Sequence, residues 1–168
     1  MDLESVIDYF EKTVKPTVDE YLFNTADIRR GRIAAIILLH VWDYAKDQGM
    51  DNPLKTLSGK DEMFYQTVRA TANASKHFQV DTTKKKREFP HIAMKADQIV
   101  AEANEGLHCA PFGEGVFAES NDVYLLLDSP QTHGGIRYEY VNLPMAVHFV
   151  MAFWQQQIDN KLKLLHAR

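Results

Sequence analysis

The stretch Phe64 to Phe78, FYQTVRATANASKHF, constrains the fold more than any other part of the chain. It reads as a helix running through small residues, Ala70, Thr71, Ala72, Ala74 and Ser75, and ending in a polar cluster of Asn73, Lys76 and His77. Small side chains let neighbouring helices approach closely, so such a helix belongs at the centre of a bundle. Polar groups on it then need partners, because burying one unpaired costs roughly 1–3 kcal/mol. Arg69, Asn73 and His77 recur every four residues and follow one shoulder of the helix, drifting slowly round it. Lys76 and His77 suit a helix C-terminus, where cations meet the last carbonyls and the negative end of the dipole. Asn73 is a poor mid-helix residue and implies a specific hydrogen bond. The functional reading is a polar pocket in which His77 acts as acid or base and Arg69 or Lys76 holds an anion.

Other helices assemble around this one. Leu3, Val6, Ile7, Phe10 and Val14 have helical spacing and continue through Val18, Tyr21 and Leu22, with a kink or break expected at Pro16. After an expected cap at Asn24-Thr25, residues 26–47 form the strongest helix, with Ile33, Ile36, Ile37, His40, Val41 and Tyr44 on a wide face. Residues 48–61 are a loop by their Gly, Asn-Pro and Ser-Gly content. Residues 91–105 suit either a helix or a strand near Asp97–Ala101. Gly113 and Gly115 then lead into VFAE, VYLLLD and IRYEYV, short runs separated by turn residues that read as antiparallel strands. Ile136, Tyr138 and Tyr140 alternate with Arg137 and Glu139, which predicts one wet face. Asn142 and Pro144 open a final helix from Met145 to about Leu165, burying Val147, Phe149, Val150, Phe153, Trp154 and Ile158. The expected fold is mainly α: one domain over residues 1–168, a helical bundle with a small antiparallel sheet inserted before the C-terminal helix.

A formal net charge of -4 gives no global attraction to nucleic acid or anionic lipid. Lys84, Lys85, Lys86 and Arg87 are a local exception, either a solvated loop or a patch for a phosphate backbone. Cys109 is the sole cysteine, which excludes an internal disulfide and a cysteine-based metal site. His40 and Asp43 would need His77 and a closer ligand cluster to hold a metal, so no metal or cofactor is expected. The acidic start MDLESVIDYFEK lacks the pattern of a secretion signal, and the longest apolar run, Ile33–Leu39, is too short to span a bilayer. The expectation is a cytoplasmic protein without a membrane partner.

If the 26–47 helix and the central helix pack antiparallel with level ends, His40 faces Arg69, Ile36 faces Asn73 and Arg32 faces His77. Asp43 then reaches Arg69 for a bidentate pair, which either pins two helices together or forms part of a binding site. The segment LLHVWDYAK, a loop and VRATANASKHF together resemble the HEPN superfamily, in particular uncharacterised bacterial proteins similar to it. The resemblance spans roughly residues 26–80. It implies a helical bundle of four or five helices, often a homodimer. It also implies, for many members, metal-independent ribonuclease activity in toxin–antitoxin or phage-defence systems. In those members an Arg and a His a few residues later face a cleft at the dimer interface. Here seven residues separate Arg69 from His77, and Ala70 follows the arginine where a polar residue is usual. Two functions therefore stay open. One is a ribonuclease or RNA-processing protein with Arg69, Asn73, Lys76 and His77 catalytic, and with His40, Asp43 and Lys84–Arg87 in binding. The other is a non-catalytic bundle that binds RNA or a protein partner.

Overall fold

The computed structural model describes residues 3–77, 91–102 and 122–166. The chain begins with α1 (Leu3–Tyr9), a π-helical turn (Phe10–Val14) and α2 (Lys15–Phe23). The joints at Tyr9, Val14 and Lys15 all keep helical dihedrals, so the three run on as one helix and do not break at Pro16. The reason lies just before the proline. Proline lacks an N–H and its ring collides with the carbonyl four residues back; the wide turn, in which Lys15 N–H bonds Phe10 O, accommodates it. Val6, Phe10, Val14, Val18 and Tyr21 are buried at the spacing expected.

Asp27, not Asn24-Thr25, caps the next helix, α3 (Ile28–Ala45): its Oδ1 accepts from Arg30 N–H at 3.1 Å. The buried stripe of α3 is made of smaller residues than the isoleucines suggested, namely Gly31, Ala34, Ala35, Leu38, Val41 and Ala45. Ile33 is exposed and Ile36 and Ile37 are half-buried. Gly31 sits in close packing: a Cβ there would come within 3.1 Å of both the Tyr21 ring and Leu143, which would have to give by a few tenths of an ångström. A 3-10 turn and the left-handed Gly49 reverse the chain. Asn52 caps the short α4 (Pro53–Thr56), and α5 (Gly59–Lys76) follows. Every residue of α5 from Met63 to Val68 is buried, as are Ala70, Thr71, Ala72 and Ala74, so this helix is surrounded by its neighbours.

Residues 91–102 resolve as a 3-10 turn (Ala96–Gln98) and a strand, β1 (Ile99–Glu102), rather than a helix. With β2 (Asp122–His133) and β3 (Ile136–Asn142) it makes an antiparallel sheet in the order β1-β2-β3. The expected VFAE strand and residues 103–105 lie outside the described residues, as do Lys84, Lys85, Lys86, Arg87 and Cys109. SPQTHGG is not simply a separator. β2 runs through Ser129-Pro130, absorbing them in an irregularity between Leu126 and Gln131, and the turn is Gly134-Gly135, both at positive φ. Both faces of β3 are wet near the turn: Ile136 is 58% and Tyr140 56% exposed, alongside the paired Arg137 and Glu139. Tyr138, between Ile136 and Tyr140 on the same face, is half-buried and packs against the core.

Asn142 Oδ1 accepts from Met145 N–H at 2.9 Å and starts α6 (Leu143–His166). Its buried stripe of Val147, Val150, Trp154 and Ile158 joins α1, α2, α3 and α5 in one hydrophobic core. Phe149 and Phe153, expected inside, are half-buried at its margin.

Candidate functional site

The face formed by α3 and the C-terminal half of α5 carries most of the polar residues singled out above. Lys76 Nζ lies 2.7 Å from His40 Nε2, across the α3–α5 junction. His40 thus meets Lys76 rather than Arg69, seven residues earlier. Those seven residues correspond to about 10 Å along the helix axis, part of which the long lysine side chain covers. An ammonium has only donors, so a charged Lys76 bonds this ring through the Nε2 lone pair.

Arg69, half-buried, directs Nη1 to Gln66 Oε1 at 2.9 Å on its own helix. Asp43 sits with Lys46 at 3.3 Å, again on one helix. The two opposite charges nevertheless share a neighbour. Burial raises the Tyr65 hydroxyl well above the usual tyrosine range; the positive charge of Arg69 opposes this and the negative charge of Asp43 adds to it. Asp43 and Arg69 therefore flank one buried phenol.

Asn73 Nδ2 donates to Arg69 O at 2.9 Å. Thr67 and Ser75 make the same backbone contact, to Met63 O at 2.8 Å and Thr71 O at 2.6 Å. Polar residues in this packed helix are thus largely satisfied by the preceding turn. His77 is exposed and ends the helix in extended conformation, with its N–H on Asn73 O. It follows Arg69 by eight positions, with seven residues between them, about 12 Å of helix rise. Arg32, expected near His77, donates through Nη2 to Ala96 O at 3.0 Å and ties α3 to the segment before β1.

Asn73, Lys76 and Arg69 form one stripe, with His40 across from Lys76 and His77 beyond the end. On this face the exposed Lys76 offers one cation to an anion, with the His40 ring beside it. Among the described residues no group of three or more His, Cys, Asp or Glu could hold a metal ion, and no helix is long and apolar enough to cross a membrane.

One feature was not singled out from the sequence. A groove of about 420 Å³ lies between α6 and residues Asp51–Asp61, at the N-terminal end of α5. The signal was present in the spacing of Phe149, Phe153, Gln156, Gln157 and Asn160, but the phenylalanines read as core. No family model, curated protein or solved structure matches this chain.

Proposed function

We propose that the chain is a HEPN-like RNA-processing protein, and that its α3–α5 face binds a phosphodiester and cleaves it without metal. The observation that carries this reading is the 2.7 Å contact between Lys76 Nζ and His40 Nε2. It joins a cation to a neutral imidazole at the surface. An incoming phosphate draws Lys76 off the ring and leaves the Nε2 lone pair to take the 2′-hydroxyl proton. The 2′-oxygen then attacks phosphorus, and the 5′-oxygen leaves with a proton from water. Lys76 stabilises the charge that builds on the phosphoryl oxygens. Arg69, Asn73 and the exposed His77 extend the face, and the Lys84–Arg87 run adds phosphate contacts. A homodimer, which the resemblance implies, and a cytoplasmic setting belong to the same reading; light scattering checks the former.

The test is cleavage of a mixed-sequence RNA in EDTA, with the ends identified. The expected products carry 2′,3′-cyclic phosphate. His40→Ala and Lys76→Ala each lower the rate by about 10²-fold or more with the fold intact. Loss of cleavage in His77→Ala with His40→Ala unaffected would move the base to the helix end. A requirement for added metal would remove the mechanism.

A second reading, a non-catalytic bundle that binds RNA or a protein, is favoured by one observation. Arg69 and Asn73 direct donors to their own helix. RNA binding that weakens in Lys76→Ala, without any cleavage, selects this reading.

A further inference from the structure

The groove between α6 and residues Asp51–Asp61 has a definite construction. One wall is a single stripe of α6: Phe149, Ala152, Phe153, Gln156, Gln157 and Asn160. These recur at the spacing of one helix face and span about 16 Å of rise. The opposite wall is Asp51, Thr56, Leu57 and Asp61, so among the described residues two carboxylates and no cationic side chain line the groove.

The carboxylates stand toward opposite ends. Phe64, one turn beyond Asp61, packs against Phe149 with ring centroids 5.6 Å apart, which sets Asp61 toward the aromatic end. Gly49, two residues before Asp51, would bring a Cβ within 3.6 Å of Lys161 Nζ, next in the chain to Asn160, which sets Asp51 toward the carboxamide end. Among the described residues no hydrogen bond or ion pair engages either carboxylate or the amides of Gln156, Gln157 and Asn160.

From this construction we infer that the groove binds a linear alkyl polyamine. Separated carboxylates match ammonium groups separated by methylenes. The rings of Phe149 and Phe153 give the methylenes an apolar wall and the nearer ammonium an aromatic face. The carboxamide oxygens accept from the ammonium N–H donors at the other end. An anion is repelled by both carboxylates, and a compact metal dication finds no group of three ligands. Both carboxylates are exposed, so they attract a cationic chain through water rather than needing one to satisfy them. The site is independent of the RNA face, since Asp61 and Lys76 are fifteen residues apart on α5, about 22 Å of rise.

The experiment titrates RNA-free, full-length protein with spermidine by calorimetry, and in parallel by tryptophan fluorescence, since Trp154 lies with its ring 5.2 Å from that of Phe153. Butylamine and 1,8-octanediol are the single-charge and uncharged comparisons. Spermidine is expected to bind saturably at one site and at least about tenfold more tightly than butylamine. Asp51→Asn and Asp61→Asn, each with unchanged circular dichroism, are expected to weaken spermidine about tenfold, and the double variant to remove saturable binding. His40→Ala is expected to bind as the parent does. Equal affinity for butylamine, octanediol and spermidine would overturn the inference. So would wild-type affinity in the double variant, or no saturable binding up to roughly 1 mM.

Discussion

Thr71 is fully buried in the middle of α5, and among the described residues its hydroxyl oxygen has no hydrogen-bond partner, although its carbonyl accepts from Ser75. A hydroxyl removed from water without a partner is a net loss, and a methyl of similar shape removes that loss. Thr71→Val should therefore stabilise the protein by about 1 kcal/mol. In a urea titration the midpoint rises at unchanged slope. A lower midpoint would mean that the hydroxyl is bonded. The same helix shows what was readable one residue at a time. Asn73 stood out in the sequence as a mid-helix residue needing a hydrogen bond, and it has one. The partner turned out to be Arg69 O, one turn back, and not a ligand or a neighbouring helix. Residue type announces the need for a bond, whereas local geometry chooses who meets it.

At the scale of elements, apolar spacing located α1–α2, α3 and α6, because burial of a stripe depends on period, while α4 fell within the expected 48–61 loop. It failed where two faces competed. On α3 the isoleucines are larger, but the alanine and glycine face lies inside, where Gly31 packs closely on Tyr21 and Leu143. The start of α3 also shifted, to Asp27. That residue caps Arg30 N–H and pairs with the Arg30 side chain at 3.3 Å, while Arg30 reaches back to Glu20 on α2, also at 3.3 Å. Asp27→Ala should destabilise by about 1 kcal/mol, and Asp27→Asn, which keeps the cap, by a few tenths. Equal losses in the two variants would mean that the ion pair, not the cap, holds the α2–α3 corner. Thermal unfolding of the three proteins reads the difference.

For the molecule as a whole, the helical bundle and its inserted sheet were legible, and the pairing across α3 and α5 was not. That pairing depends on how the 46–58 turn offsets two helices, and a shift of two turns exchanges Arg69 for Lys76 opposite His40. Electrostatics at this scale makes one more prediction. Burial, with the nearby Tyr44 and the Asp43 charge, pushes the Tyr9 hydroxyl up to about 12, and burial raises Tyr21 and Tyr65 as well. Tyr9 stacks on Tyr44 and donates to Ile37 O at 3.2 Å, so its neutral form is built into the α1–α3 contact. The folded chain holds these phenolic protons more tightly than the unfolded chain, whose tyrosines ionise near 10. Their contribution is complete below pH ~10 and is lost as the pH rises from ~10 through the raised folded values. Stability should thus be insensitive to these groups at neutral pH and fall steeply in alkali. Tyrosinate absorbance at 295 nm should lag behind a simple titration and then rise with the loss of helical circular dichroism. Tyr9→Phe should weaken the alkaline loss, because it removes one proton that unfolding releases. An unchanged alkaline midpoint in that variant would show that Tyr9 ionises without unfolding the chain.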